Sequence, residues 1–480
     1  MKKLAFDNAY YLKVQRENIN KRIATFGDKL YLEFGGKLFD DLHAARVLPG
    51  FHADAKLQML LGLKDKTEIV ITVNTGDIIS NKFRNDIGIS YQDEVVRLIG
   101  LLTGVGLYVG SVVLSFYQPN PIVEAFEQKL NKSGVKTYHH YKINGYPHNI
   151  PLILSEDGLG KNDYIETTKP LVVITAPGPG SGKMATCLSQ LYHENIRGIR
   201  AGYAKYETFP VWNLPLMHPV NLAYEAATVD LADVNMIDPF HLEKYGQVTI
   251  NYNRDVEVFP LLRSIFEKIW GDCPYFSPTD MGVNMVGFGI KHDEGTCEAS
   301  KQEIVRRYYQ ALKNNYLGKF SDAAVEKAKL VMNQVGVDTT YRKCVAPCLK
   351  KYEETNLPVV SIQLPNGKIV TGKKSELLTA PAAALINALK ALAKIDNSYD
   401  LISSNLITPI RDLKVNDLHH RNPSLHVEEV LIILALQASS NQLCELAIAQ
   451  VGKIKGAQAH ASNIMADVDL STYKKLGIDV

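Results

Sequence analysis

The chain has 480 residues, 46% hydrophobic and 22% charged, and 53 Lys and Arg against 51 Asp and Glu leave a net charge of +2. That length calls for more than one buried core, and the near-neutral balance excludes the overall electrostatic footprint of a nucleic-acid or membrane-surface binder. Six scattered cysteines read as reduced thiols, not a disulfide framework.

At the start, MKKLAFDNAYYLKVQREN loses its apolar run at Asp7, Asn8, Lys13 and Arg16, so it does not read as a signal-peptide core. The longest apolar stretch, 98–116, is broken at Thr103 and Ser111 and parses as helix, turn and strand. A cytoplasmic protein is the resulting expectation. The segment 29–34 (KLYLEF) predicts a strand that runs into Gly35-Gly36-Lys37, with Asp40, Asp41 and Arg46 following. One reading is an anion loop, with Lys37 and Arg46 on phosphate or carboxylate oxygens and Asp40 or Asp41 as a base, hydroxyl partner or metal ligand. The other is a β-turn with solvated charges.

Helical and strand periods then alternate: helices over 51–63, 91–102 and 121–131, strands over 68–73, 110–116 and 135–141. This order predicts βαβ units and a Rossmann-like parallel sheet with helices on both faces, whose ligands sit at the carboxyl ends of the strands. His139, His140 and Pro147-His148 make a histidine-rich patch, but adjacent strand residues face opposite ways and suit joint metal ligation poorly. Residues 154–169 predict a polar hairpin or lid.

The most informative stretch is 171–195, LVVITAPGPGSGKMATCLSQLYHEN. A β-branched strand enters a loop of glycines and prolines, and helix formers resume at Met184. In that order Gly178, Gly180, Ser181 and Gly182 can turn backbone N–H groups into one concavity beside a helix N-terminus, with Lys183 supplying a charge. A Walker A loop needs a glycine where Pro177 stands and a Ser or Thr where Met184 stands. Methionine does not ligate a hard cation, which puts Mg2+-nucleotide chemistry in doubt and leaves a nucleotide or simple phosphate as the ligand class. The competing reading is a glycine turn that serves strand–helix packing alone.

Downstream, 198–205 predicts a strand ending near Glu207, a further catalytic candidate, and the apolar segment 206–221 predicts an ordered loop packed over the site. Asp233, Asn235 and Asp238 could hold a cation, but Asp238 before Pro239 better suits a helix cap. A helix over 255–270 closed by Gly271, an irregular loop at 277–289 and helices over 300–335 follow, with Arg306, Arg307 and Lys313 expected on solvated faces. Cys344 and Cys348 form the one close cysteine pair, without a second ligand pair at zinc spacing; no metal site is expected. A hairpin at 359–371 with Pro365-Asn366-Gly367 at its turn, helices over 380–395, 427–438 and 442–448, and a loop at 452–461 complete the chain.

FGGKLFDDLHAARVLPGF, TAPGPGSGKMATCLSQLYHE, YETFPVWNLPLMHPVNLAYEAATVDLADVNMIDPFHLEKYG and NYNRDVEVFP closely resemble the bacterial domain-of-unknown-function 1846 family, also called uncharacterised protein family 0371. The resemblance implies a Rossmann-like domain over 1–270, a small helical part over 271–345 and an α/β subdomain of cytidine-deaminase-like topology over 346–480. Where a deaminase carries a zinc ligand followed by Ala-Glu, this chain reads Ala380-Pro381-Ala382-Ala383, and Pro423-Ser424-Leu425-His426-Val427 lacks the later cysteines. The expectation is therefore a cytoplasmic, homo-oligomeric protein that binds a small phosphorylated ligand, with no nucleic acid or membrane partner. Phosphoryl transfer, non-catalytic binding or assembly, and nucleotide-independent sugar-phosphate chemistry stay open.

Overall fold

Strand segments rich in Val, Ile and Leu without polar alternation suit burial on both faces, and such segments form the centre of the computed structural model, which describes residues 4–27, 29–84, 88–146, 148–231 and 233–480. Pro147 of the histidine-rich segment and the first three residues lie outside the described residues. Contacts divide the chain into two units, Leu4–Ser300 and Lys301–Val480.

In the first unit six strands form one all-parallel sheet: β1 (Leu30–Phe34), β2 (Thr67–Asn74), β3 (Tyr108–Ser115), β4 (Lys136–His139), β5 (Leu171–Thr175) and β6 (Gly202–Tyr206). Their spatial order is β4-β3-β2-β5-β1-β6. Helices cover both faces. On β6, Tyr203 meets Phe266 of helix Asn253–Trp270, whereas Tyr206 hydrogen-bonds Tyr11 of helix Asn8–Thr25, and the odd separation of the two tyrosines sends them to opposite faces. Helix Asn8–Thr25 buries Tyr11, Leu12, Gln15, Ile19 and Ile23 on one stripe and is started by Asp7, whose carboxylate accepts from Tyr10 N at 2.9 Å.

The chain leaves β2 outward to β3 and β4, returns to the centre as β5, and crosses β1 to reach β6. Connections from the adjacent strands β2 and β5 therefore run in opposite directions, the switch in strand order at whose carboxyl ends open parallel sheets place their ligands. The 176–183 loop lies there, and Gly35-Gly36 lies at the end of the neighbouring β1, so both glycine loops share one edge of the sheet.

Several expectations change in detail. Residues 154–169 form no hairpin: apart from the short turn Leu159–Lys161 they are irregular, tied to helix Lys183–Ile196 where Gln190 Oε1 accepts from Ile165 N at 2.9 Å and Gln190 Nε2 donates to Ile165 O at 2.9 Å. Arg306 does not lie on a solvated face. It is buried, and Glu303 on the same helix accepts from its Nε and Nη2 at 2.6 Å each. Asp238 caps its helix as expected, accepting from Phe240 N and His241 N at 3.1 Å.

The second unit carries an antiparallel three-stranded sheet in which Val359–Gln363 lies between Ile369–Lys373 and Gln458–Ala461. The last strand replaces the loop expected at 452–461, because QAHA pairs its backbone with the otherwise open edge of Val359–Gln363. Helices Ala380–Ala393, Val427–Gln437 and Gln442–Ile448 pack a core around Ile362, Leu385, Leu389, Val430 and Leu434.

Candidate functional site at the carboxyl edge of the parallel sheet

Short polar residues at the strand tips hold the glycine loop. Thr72 Oγ1 on β2 and Ser115 Oγ on β3 both donate to Ser181 O, at 2.8 and 2.9 Å. Asn74 Nδ2 approaches Gly180 O at 3.4 Å, Ser181 Oγ donates to Gly178 O at 2.9 Å, and Thr186 satisfies Gly182 O through its N–H and its hydroxyl at 2.9 and 3.0 Å. Four loop carbonyls thus have protein donors. Among the described residues, the N–H groups of Gly180, Ser181, Gly182 and Lys183 have no protein acceptor. They stand at the start of the helix Lys183–Ile196, where the helix dipole adds partial positive charge.

The three glycines serve different ends. A Cβ on Gly178 would lie 2.1 Å from Tyr91 Oη, and one on Gly182 would lie 3.1 Å from Ser115, at a φ of +85°. Gly180 has no atom within 4 Å of such a Cβ and needs glycine only for its φ of +74°. Close packing accounts for Gly178 and Gly182, not for Gly180.

Under the second loop the cation is Lys56, a residue that the sequence reading passed over inside an ordinary helix. It is buried, donates to Gly35 O at 3.2 Å and pairs with Asp41 Oδ2 at 3.0 Å. Asp41 also accepts from Ala44 N at 3.2 Å as a helix cap and from Thr208 Oγ1 at 3.0 Å. Burial opposes its charge, yet the Lys56 ammonium and the Ala44 N–H hold its carboxyl below the ordinary aspartate value. Asp41 therefore positions the chain after β1. Asp40 and Lys37 lie on the exposed surface, and Arg46 is part-buried on helix Leu42–Val47.

Glu207 stands directly after β6, its side chain so close to Gly35 that any Cβ there would lie 2.4 Å from Cγ. Lys205 Nζ lies 3.5 Å from Glu207 Oε2 and 2.5 Å from Asp255 Oδ2. Glu33, opposite Lys205 in register, accepts from Tyr203 Oη at 2.8 Å. Burial raises the Glu207 carboxyl above its ordinary value; Lys205 opposes the rise, Asp255 and Glu33 add to it, and Lys183 opposes it again. Burial would lower the Lys205 ammonium, but Asp255, Glu207 and Glu33 outweigh it and hold the group charged. Three carboxyl groups share one buried lysine here, with Lys183 of the loop within electrostatic reach of Glu207. The signal in the sequence was a single charge in each of two otherwise apolar strands, Glu33 in LYLEF and Lys205 in GYAKY.

The other sequence candidates resolve as structural groups. His139 Nε2 lies 2.8 Å from Glu127 Oε1 and its ring stacks on Tyr117 at 3.8 Å, while His140 is buried with Nε2 3.2 Å from Asp163 O. Burial lowers the His140 imidazole to about 4. Cys344 and Cys348 are buried free thiols, raised above the ordinary value chiefly by burial. A trio absent from the sequence reading is His218, Asp293 and Cys297: His218 Nε2 lies 3.0 Å from Asp293 Oδ1 and 3.5 Å from Cys297 Sγ. His218 Nδ1 accepts from Val220 N at 3.2 Å, so the neutral ring keeps its proton on Nε2 and donates it to Asp293. An N–H, not a lone pair, faces the point where an ion would bind, and the trio is a hydrogen-bonded cluster. No described helix is long and apolar enough to cross a membrane.

Two family models match the chain, described as domain of unknown function DUF1846, N-terminal, over residues 4–336, and DUF1846, C-terminal, over residues 340–480. The chain is 54% identical to a UPF0371 protein of Streptococcus pneumoniae strain JJA, over 100% of this chain and 97% of the relative. It is 53% identical, with the same coverage, to UPF0371 proteins of Streptococcus pyogenes serotypes M5 and M18.

Proposed function

This chain belongs to the DUF1846 family of bacterial proteins, and from that premise we propose that its Leu4–Ser300 unit binds the phosphate group of a small molecule at the 176–183 loop, with Glu207 as the proton-exchanging group beside it. The observation that carries the reading is the division of the loop into carbonyls with protein donors and N–H groups without protein acceptors. Such a row of N–H groups at a helix start, beside Lys183, suits an anion with several acceptor oxygens. The hydroxyls of Ser181 and Thr186 are bonded to loop carbonyls, and Met184 follows Lys183, so the phosphate charge is met by N–H groups and Lys183 rather than through a loop-bound Mg2+. Glu207, raised by burial above the ordinary glutamate value and within electrostatic reach of Lys183, suits proton exchange with a ligand held there.

Calorimetric titration with inorganic phosphate, pyrophosphate, ATP, NAD and a sugar phosphate tests this. Binding of at least one is expected, weakened tenfold or more by Lys183→Ala with the melting temperature unchanged. At 100 times its dissociation constant the ligand should stabilise the fold by about 2.7 kcal/mol. Absence of binding by all five, or equal binding by Lys183→Ala, overturns the proposal. One observation favours the second reading, a loop that only packs: the steric fit of Gly178 on Tyr91 and Gly182 on Ser115. That reading leaves the N–H groups without protein acceptors unexplained.

A further inference from the structure

The second unit contains a cavity of about 140 Å³ between the sheet and the starts of three helices, away from the glycine loop in sequence and built from residues 358–469 alone. Val360, Ala380, Pro381 and Met465 contribute apolar wall, Lys374, Thr379 and Asn463 also line it, and Asn422, His426 and Asp469 form a hydrogen-bonded polar group within the lining. The polar group has a defined protonation pattern. His426 Nδ1 lies 3.0 Å from the buried Asp469 Oδ2, and Asp469 Oδ1 accepts from Val427 N at 2.8 Å. A ring nitrogen held against a carboxylate carries the proton, so in the neutral ring Nε2 keeps its lone pair.

Asn422 confirms that tautomer from the other side. Its Oδ1 accepts from Ser424 N at 3.2 Å, which fixes the amide so that Nδ2 points at His426 Nε2, at a long 3.3 Å. Further out, His426 N donates to Glu429 Oε2 at 2.7 Å, and buried Lys414 donates to the same oxygen at 2.8 Å. The imidazole is therefore positioned on both sides, with one acceptor and one amide donor next to each other on the cavity wall.

We infer that this cavity is a binding site for a small single-ring cyclic amide, whose ring N–H donates to His426 Nε2 and whose carbonyl accepts from Asn422 Nδ2. The volume sets the size: an apolar cavity of roughly 150 Å³ accommodates benzene. The polar group sets the chemistry. An entering N–H replaces the long Asn422–His426 bond at Nε2, and the released Asn422 N–H meets the carbonyl next to it on the cis-amide edge, so every donor keeps an acceptor. A ligand without the N–H would set its own bulk against Nε2 and leave that acceptor without a donor, which is how sites built around hydrogen bonds reject analogues. The inference rests on the second unit alone and is independent of the phosphate reading.

The test uses the full chain and two matched probes, 2-pyridone and N-methyl-2-pyridone, followed by saturation-transfer NMR and titration. The expected result is saturable binding of 2-pyridone at least tenfold tighter than its N-methyl analogue, weakened tenfold or more by His426→Phe, which keeps a ring but removes the acceptor. Equal binding of the two probes, no binding of 2-pyridone, or unchanged binding in a folded His426→Phe variant overturns the inference. Should that variant fail to fold, the probe pair on the unaltered chain decides alone.

Discussion

Replacing Lys205 by Met removes the one buried cation that three carboxyl groups share. In the native chain its ammonium lies 2.5 Å from Asp255 and 3.5 Å from Glu207, with Glu33 opposite it in register. Met keeps the length and apolar packing of the side chain, so the main loss is electrostatic. Removing one partner of a buried ion pair costs about 3–5 kcal/mol, because the other charge is left without compensation. For a unit of this size about 2 °C accompanies each kcal/mol, so the expected drop in melting temperature is about 6–10 °C at pH 8.

The deficit should depend on pH in a stated direction. Burial already raises the Glu207 carboxyl above its ordinary 4.5, and Lys205 is the largest opposing influence. Without Lys205 the carboxyl rises further, each unit being worth about 1.4 kcal/mol. A group whose folded value is raised stabilises the fold below its unfolded value and loses that contribution as pH climbs through the folded one. Urea unfolding of wild type and Lys205→Met at pH 5, 6, 7 and 8 should therefore show a deficit smallest at pH 5 and largest at pH 8. Asp255→Asn in the Lys205→Met background should recover part of it. A loss below about 1 kcal/mol at pH 8, or a deficit that does not change between pH 5 and 8, refutes the shared-cation account.

Other outcomes follow from the same geometry. Gly178→Ala, whose Cβ would lie 2.1 Å from Tyr91 Oη, should destabilise by about 1–3 kcal/mol through overpacking and be relieved by Tyr91→Ala. Gly180→Ala meets no neighbouring atom and should cost only about 1 kcal/mol for its left-handed φ; a larger loss than at Gly178 contradicts the packing account. His140, lowered to about 4, should stay neutral by NMR titration down to pH 5; because its folded value is depressed, its contribution is lost as pH falls from 6.5 toward 4, so His140→Phe should flatten that part of the acid-unfolding curve. If phosphate binds beside Lys183, the added negative charge raises Glu207 further and binding takes up protons. Titration in buffers of different ionisation enthalpy should show that uptake in wild type and its loss in Glu207→Gln, and equal uptake in both would exclude Glu207 as the acceptor.

Much of the architecture was readable from local pattern. The short apolar, β-branched runs EIVITV and LVVIT identify strands buried on both faces, and their alternation with amphipathic helices leads to a parallel sheet whatever the partners are. Caps follow the same local rules, as at Asp238 before Pro239 and at Gly271, where φ is +83°. The glycine loop was readable as a turn between strand and helix, and the absence of a hydroxyl at Met184 set its limit. Pattern misled where pairing decides: QAHA is too short to declare itself a strand and becomes one only because Val359–Gln363 offers an edge.

The sequence by itself determined the family, the alternating elements and the glycine-rich turns at the strand ends, because these depend on residues near one another in the chain. The tertiary structure alone decided which charges meet. Lys56 reaches Asp41 and the Gly35 carbonyl, Lys205 joins Asp255, Glu207 and Glu33, and His426 takes its tautomer from Asp469, 43 residues away. Strand order and helix crossing set these distances, and burial then converts them into altered protonation, a coupling that no run of neighbouring residues encodes.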